Sequence, residues 1–188
     1  MKIDRKIGTI AFLWLITWFF VSCQTNRDEV FAVGKKLIVP TQTGKDVALY
    51  YSDSTIIKLK LESPYMLMYD KDVKEPFTLM PKGLHLIFYD EEGKETTTLR
   101  ANYGIKYDRS KRTEVKYDVE IVNKNGEKLN TEHLIWDEVT HKIYTNTFVK
   151  ISTGDEIIMG KGLDANEDFT KYEIKEVTGR IAIGDDEK

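Results

Sequence analysis

A single cysteine, three histidines and one aspartate–histidine pair are the side chains here whose type and spacing could do chemistry. Cys23 lies in "FVSCQTN", where an apolar run gives way to a polar one. A catalytic thiol needs a base held beside it by a fold, and this segment has no sign of one. Val21 and Ser22 suit a different chemistry. Small residues before a cysteine are what a lipoprotein signal peptidase accepts, once the sulfur carries diacylglycerol. Phe20 stands where leucine is usual. His85, His133 and His141 have no metal-ligand spacing with one another or with the cysteine, so no metal site and no cofactor is predicted. Asp137 and His141, in "WDEVTH", could in principle form an acid–base pair, and capping its own turn is the simpler role for Asp137. Asp90, Glu91 and Glu92 read as a solvated turn rather than a glycosidase pair. Gly160-Lys161-Gly162 lacks the following helix of a phosphate loop and reads as a bulge or close backbone contact. No nucleophile elbow is present. The expectation is a protein that is not an enzyme, with no catalytic residue.

The N-terminus decides the compartment. Lys2, Arg5 and Lys6 precede "GTIAFLWLITWFFV", an uncharged stretch right for a signal-peptide core and short for a bilayer span. Residues 1–22 are predicted to be a signal peptide, with Cys23 as the lipid anchor. The alternative is an uncleaved transmembrane helix from Ile7 to Ser22. The chain of 188 residues carries a formal net charge of −3. Such a balance gives no global pull toward nucleic acid. With one cysteine there is no internal disulfide to form. Residues 23–46 read as the lipidated cysteine and a polar tether, 47–183 as one folded domain, and 184–188 as a polar tail.

Strands must position whatever the domain does. Ile57, Leu59, Leu61, Tyr65, Leu67 and Tyr69 share one parity, and Lys58, Lys60 and Glu62 take the other. Pro64 predicts a bend or an edge in that run. The alternation recurs in Leu84, Leu86, Phe88, in Leu99 to Tyr107, and in Val115 to Ile121. "DEEGK", "NKNGEK" and "STGDE" supply turns between runs. An aromatic–aspartate pair also recurs about every 30–40 residues, at Tyr69-Asp70, Tyr107-Asp108 and Trp136-Asp137, with a looser echo at Glu167-Asp168-Phe169. Such units stack because one alone cannot bury its apolar face. The prediction is an all-β domain, an elongated double layer of two-strand repeats whose end strands are free for strand addition.

These residues resemble a known family. "TLRANYGIKYD", "EKLNTEHLIWDEVTHKIYTNTFVKI" and "GKGLDANEDFTKYEIKEVTGRI" are similar to the OstA-type repeat of LptC, the periplasmic C component of the lipopolysaccharide export ABC transporter. "SPYMLMYD" and "PKGLHLIFYDEEGK" fit in the same order, and the resemblance covers residues 45–183. It implies an open β-jellyroll of two antiparallel sheets. It further implies that lipopolysaccharide extracted from the inner membrane by the transporter subunits enters the domain and passes to a soluble periplasmic bridge protein of the same fold. Domains of the family join edge to edge, and ATP is hydrolysed elsewhere. Many members keep a transmembrane helix at the N-terminus, where this chain reads as a lipoprotein variant on the periplasmic side of the inner membrane.

Two sets of residues follow. Leu59, Leu61, Leu86, Phe88, Leu99, Tyr103, Ile105, Val115, Tyr117, Val119, Val149 and Ile151 are the inward-parity candidates for an acyl-chain groove, or for a plain sandwich core. Tyr172, Ile174, Ile181 and Ile183 mark the C-terminal edge strand expected to meet the bridge protein. Lys58, Lys60, Lys82, Arg100 and Lys106 could meet head-group phosphates, and a solvated outer face explains each as well. A structural, glycan- or protein-binding envelope lipoprotein with a closed core is the alternative reading.

Overall fold

The computed structural model describes residues 38–53 and 55–183. The expected signal segment, Cys23, the expected tether up to residue 37 and the expected polar tail lie outside the described residues. Eleven strands, all paired antiparallel, follow one another: β1 (Gln42–Asp53), β2 (Ile56–Tyr69), β3 (Phe77–Met80), β4 (Leu84–Tyr89), β5 (Glu95–Ala101), β6 (Tyr103–Tyr107), β7 (Arg112–Asn123), β8 (Lys128–Asp137), β9 (Lys142–Ser152), β10 (Glu156–Asn166) and β11 (Tyr172–Ala182). β1 starts five residues before the domain start expected at Val47. "QTGKD" reads as tether by composition, yet Gln42 to Lys45 pair with Met68 to Tyr65. Here the partner strand overrides weak local propensity.

Hydrogen bonding makes one sheet, and the sheet folds over on itself into two layers. Long strands cross from one layer to the other at bends. β2 pairs β4 through its first half and β3 through its second. Likewise β7 pairs β6 and then β5. The path β2–β4–β5–β7–β6–β3 therefore closes into a ring, with β4 and β5 in layer I and β3 and β6 in layer II. Pro64 falls between the two pairings of β2, where no ladder bond is required of it, as its expected bend requires. The other crossings carry their own signals. Tyr117 and Asp118 have φ of 64° and 53°. The β8–β9 ladder breaks between Thr131 and Ile135, and the Thr131, Thr145 and Thr147 hydroxyls bond one another at 2.9 Å across the gap. In β10 the expected bulge at Gly160-Lys161-Gly162 is present. Gly162 has φ 77°, and a Cβ on Gly160 would strike Ile174 and the Glu176 carbonyl.

The repeated aromatic–aspartate pairs all sit where layer II turns. Tyr69-Asp70 ends β2, Tyr107-Asp108 ends β6, Trp136-Asp137 ends β8, and Asp168-Phe169 lies between β10 and β11. Asp137 Oδ1 accepts the Val139 and Thr140 amides at 3.1 and 3.0 Å, so it is the turn cap.

Between the layers lies the core. Layer I contributes one unbroken inner row in register: Leu49, Leu61, Leu86, Leu99, Ile121, Leu129, Ile151 and Ile158. Layer II faces it with Met68, Thr78, Lys106, Thr113, Trp136, Ile143, Ala165 and Tyr172. Each buried leucine or isoleucine in these rows contributes about 1.5–3 kcal/mol through burial.

Candidate functional site

Nine of the twelve groove candidates belong to a single buried cluster: Leu59, Leu61, Leu86, Phe88, Leu99, Val115, Val119, Val149 and Ile151. The other three do not. Gly104, not its neighbours, faces inward, since a Cβ there would meet Leu84 Cδ2 at 2.6 Å and Met80 Cε at 3.2 Å. Tyr103 and Ile105 are therefore on the outer face of layer II. Parity counted onward from Leu99 fails because the chain changes layers at Asn102, and the new layer's inside is reached by the opposite parity. Tyr117 is 59% exposed at the β7 bulge and packs edge-on against Tyr103 at 6.2 Å. The same inversion moves Lys106 inward, against the expected solvated face.

Outside, the two layers differ. Layer II presents Leu67, Leu79 and Ile105 in one row, and Tyr69, Phe77 and Tyr107 in the next, with Tyr69 stacked on Phe77 at 4.6 Å. Layer I presents Lys60, Glu62, Thr98 and Arg100 around Ile87. Lys60 is bound to Glu62 at 2.7 Å and lies over the Tyr50 ring, and Lys82 lies over Tyr65. Glu114, on the outer face of layer II, is pulled two ways. Burial alone would raise its pKa, and the hydrogen bonds from Lys116 and His133 outweigh burial and hold it below the usual carboxylate value.

The interior is not equally closed along its length. Toward β11 the β10–β11 turn seals it. Phe169 is fully buried and stacks on Tyr172 at 5.0 Å. Its carbonyl accepts from Asn123 Nδ2 at 3.0 Å, and the Asp168 carbonyl accepts from Thr97 Oγ1 at 2.8 Å. Those two donors are on layer I, so the turn stitches the layers together. Toward β1 nothing equivalent is present among the described residues. Interior-parity side chains reach solvent there: Leu49 and Met68 at 37%, Tyr51 at 38% and Ile57 at 43%. The apolar interior is thus exposed at the β1 side and covered by Phe169 at the β10–β11 turn.

Just inside this opening the void between the layers is about 10 Å³, lined by Tyr51, Leu59, Leu61, Met80, Leu84, Leu86, Lys106, Thr113 and Trp136. That is the space of one water at most, and far too small for an acyl chain. A cleft of about 650 Å³ lies instead at the bends of β1, β2 and β7. Asp46, Glu62, Asp118 and Glu120 line it with Lys82, His85 and Arg100. Charges of both signs suit water rather than an acyl chain.

Both end strands are unpaired on their outer side among the described residues: β1 bonds only β2, and β11 only β10. On β11, Tyr172 and Ile174 pack on the core, whereas Val177 and Ile181 are exposed, as is Ile183 just past its end.

The acid–base pair does not form. Asp137 Oδ2 receives Arg112 Nε at 3.0 Å, and His141 Nδ1 lies 3.1 Å from Glu167 Oε1. The Thr140 amide and Arg112 together keep the Asp137 carboxyl below its usual pKa. Among the described residues no group of three or more histidine, cysteine, aspartate or glutamate side chains could hold a metal. No helix among them is long and apolar enough to cross a membrane.

Comparison with known proteins adds one finding to this geometry. A family model described as lipopolysaccharide-assembly, LptC-related, matches residues 10–182. No curated protein matches the chain.

Proposed function

The chain belongs to the LptC-related lipopolysaccharide-assembly family, and we propose that it is a non-catalytic component of lipopolysaccharide transport whose interior is the lipid path. Acyl chains enter at the β1 side, where Leu49, Tyr51, Ile57 and Met68 are exposed, and slide between the two apolar inner rows. The layers part to admit them, because the void present is no larger than a single water. Acyl chains make no directional demands, so rows of leucine and isoleucine suit them. The single observation that carries this reading is the opening on the β1 side, where four apolar side chains of interior parity reach solvent together and no turn covers them among the described residues.

In this reading β1 pairs with an inner-membrane subunit of the ABC transporter, and β11 pairs with a soluble periplasmic bridge protein. Strand pairing fixes the register between domains. Energy comes from ATP hydrolysed in the transporter. Cys23 carries the lipid anchor that holds the domain at the periplasmic side of the inner membrane. The tight packing of the interior favours a second reading, a structural envelope lipoprotein with a closed core. Mass spectrometry of the full chain purified from membranes separates the two. Copurifying lipopolysaccharide supports the lipid path, and its absence under conditions that retain other lipids supports the closed core.

A further inference from the structure

The inner row of layer II is broken by three adjacent polar residues, Thr78, Lys106 and Thr113, paired in register across β3, β6 and β7. They face leucines, and their polarity needs a reason. Lys106 is mostly buried, its side chain 16% exposed. Nζ lies 4.7 Å from the centre of the Tyr51 ring, in the opening on the β1 side. It forms an ion pair with Glu138 Oε1 at 3.1 Å, and that buried oxygen has no further partner among the described residues. Beside it, Thr113 is 3% exposed, and its hydroxyl has no hydrogen-bond partner among the described residues. A buried, unpaired hydroxyl is destabilising until something bonds to it. Glu62, His85, Lys60 and Arg100 belong to the outer face and do not contribute to this notch.

We propose that Lys106 and Thr113 bind the anionic head of the transported lipid, a phosphate on an acylated sugar, at the entrance of the interior. This rests on the reading of the interior as a lipid path. In the empty protein Glu138 and the Tyr51 ring hold the ammonium group in place. A phosphate entering past Tyr51 displaces Glu138, takes the charge-assisted bond from Lys106, and accepts the free hydroxyl of Thr113. Its acyl chains then lie on Leu59, Leu61, Leu84 and Leu86. Glu138, on the turn after β8, swings to solvent.

The test compares two ligands on the full chain: a phosphorylated acylated glucosamine disaccharide and the same molecule with its phosphates removed. The wild-type protein is expected to prefer the phosphorylated form by roughly tenfold, the scale of one charge-assisted bond. K106M should abolish that preference while still binding the dephosphorylated form, and K106R should keep it. Thr113→Val should weaken only the phosphorylated ligand and leave the unliganded protein at least as stable, since it removes an unpaired hydroxyl. An unchanged preference in K106M would overturn the proposal, and so would an equal loss for both ligands, which marks a merely structural lysine. If the wild-type protein binds neither ligand, the lipid path itself fails and this site with it.

Discussion

Asp137 and Glu114 are both carboxylates held below their ordinary pKa. At Asp137 the cause is the Thr140 amide and the Arg112 guanidinium, and at Glu114 it is Lys116 and His133 against the opposing effect of burial. The folded state therefore binds fewer protons than the unfolded one around and below the ordinary carboxylate range. Stability that is fully present above that range is lost as pH falls through the depressed values. Denaturant unfolding followed into acid should show this decline, and Asp137→Asn should make it shallower while lowering stability at neutral pH. Phe169→Ala removes a fully buried ring and should cost about 3–5 kcal/mol in the same measurement. His141→Ala should leave both lipid binding and stability unchanged within about 0.5 kcal/mol, because the ring is exposed and apart from Asp137.

At the scale of elements, the β10–β11 turn is the part that closes the passage. Thr97→Val removes one of the two bonds that tie it to layer I, and leaves Asn123, which also caps the β7–β8 turn, in place. Hydrogen exchange at residues 167–171 should rise, with strands β7 to β9 protected as before. Much of this level was legible in the sequence. Period two identified the strands, glycine and asparagine the turns, and the aromatic–aspartate repeat the layer II turns. What failed did so for identifiable reasons. Alternation puts Tyr103, Ile105 and Lys106 on the wrong faces because a change of layer at Asn102 resets the parity, and the inward position between the two is Gly104, which has no side chain for an apolar pattern to register. Tyr117 was misplaced by a bulge that only its backbone angles reveal. Gln42 to Lys45 joined β1 through pairing with distant Tyr65 to Met68, which no local pattern records. The closing role of Phe169 depends on two hydrogen bonds from strands far away in sequence, although the aspartate–phenylalanine echo did point to that turn.

For the molecule as a whole, the proposal needs two separable surfaces: an interior that takes lipid and an edge that takes a partner. Val177 and Ile181 lie exposed on β11 and contribute little to the core. V177K with I181K should abolish binding of the bridge protein in a pull-down and leave the melting temperature and lipid binding unchanged. Loss of lipid binding as well would mean that the edge and the interior are not separable. The interior claim is tested most directly by a photo-crosslinking amino acid placed in turn at Leu61, Ile151, Tyr103 and Ile105 of the full chain in cells exporting lipopolysaccharide. Lipopolysaccharide adducts should form from Leu61 and Ile151, which face between the layers, and not from Tyr103 or Ile105, which face outward. Adducts from Tyr103 and Ile105 alone, or from none of the four, would contradict the account.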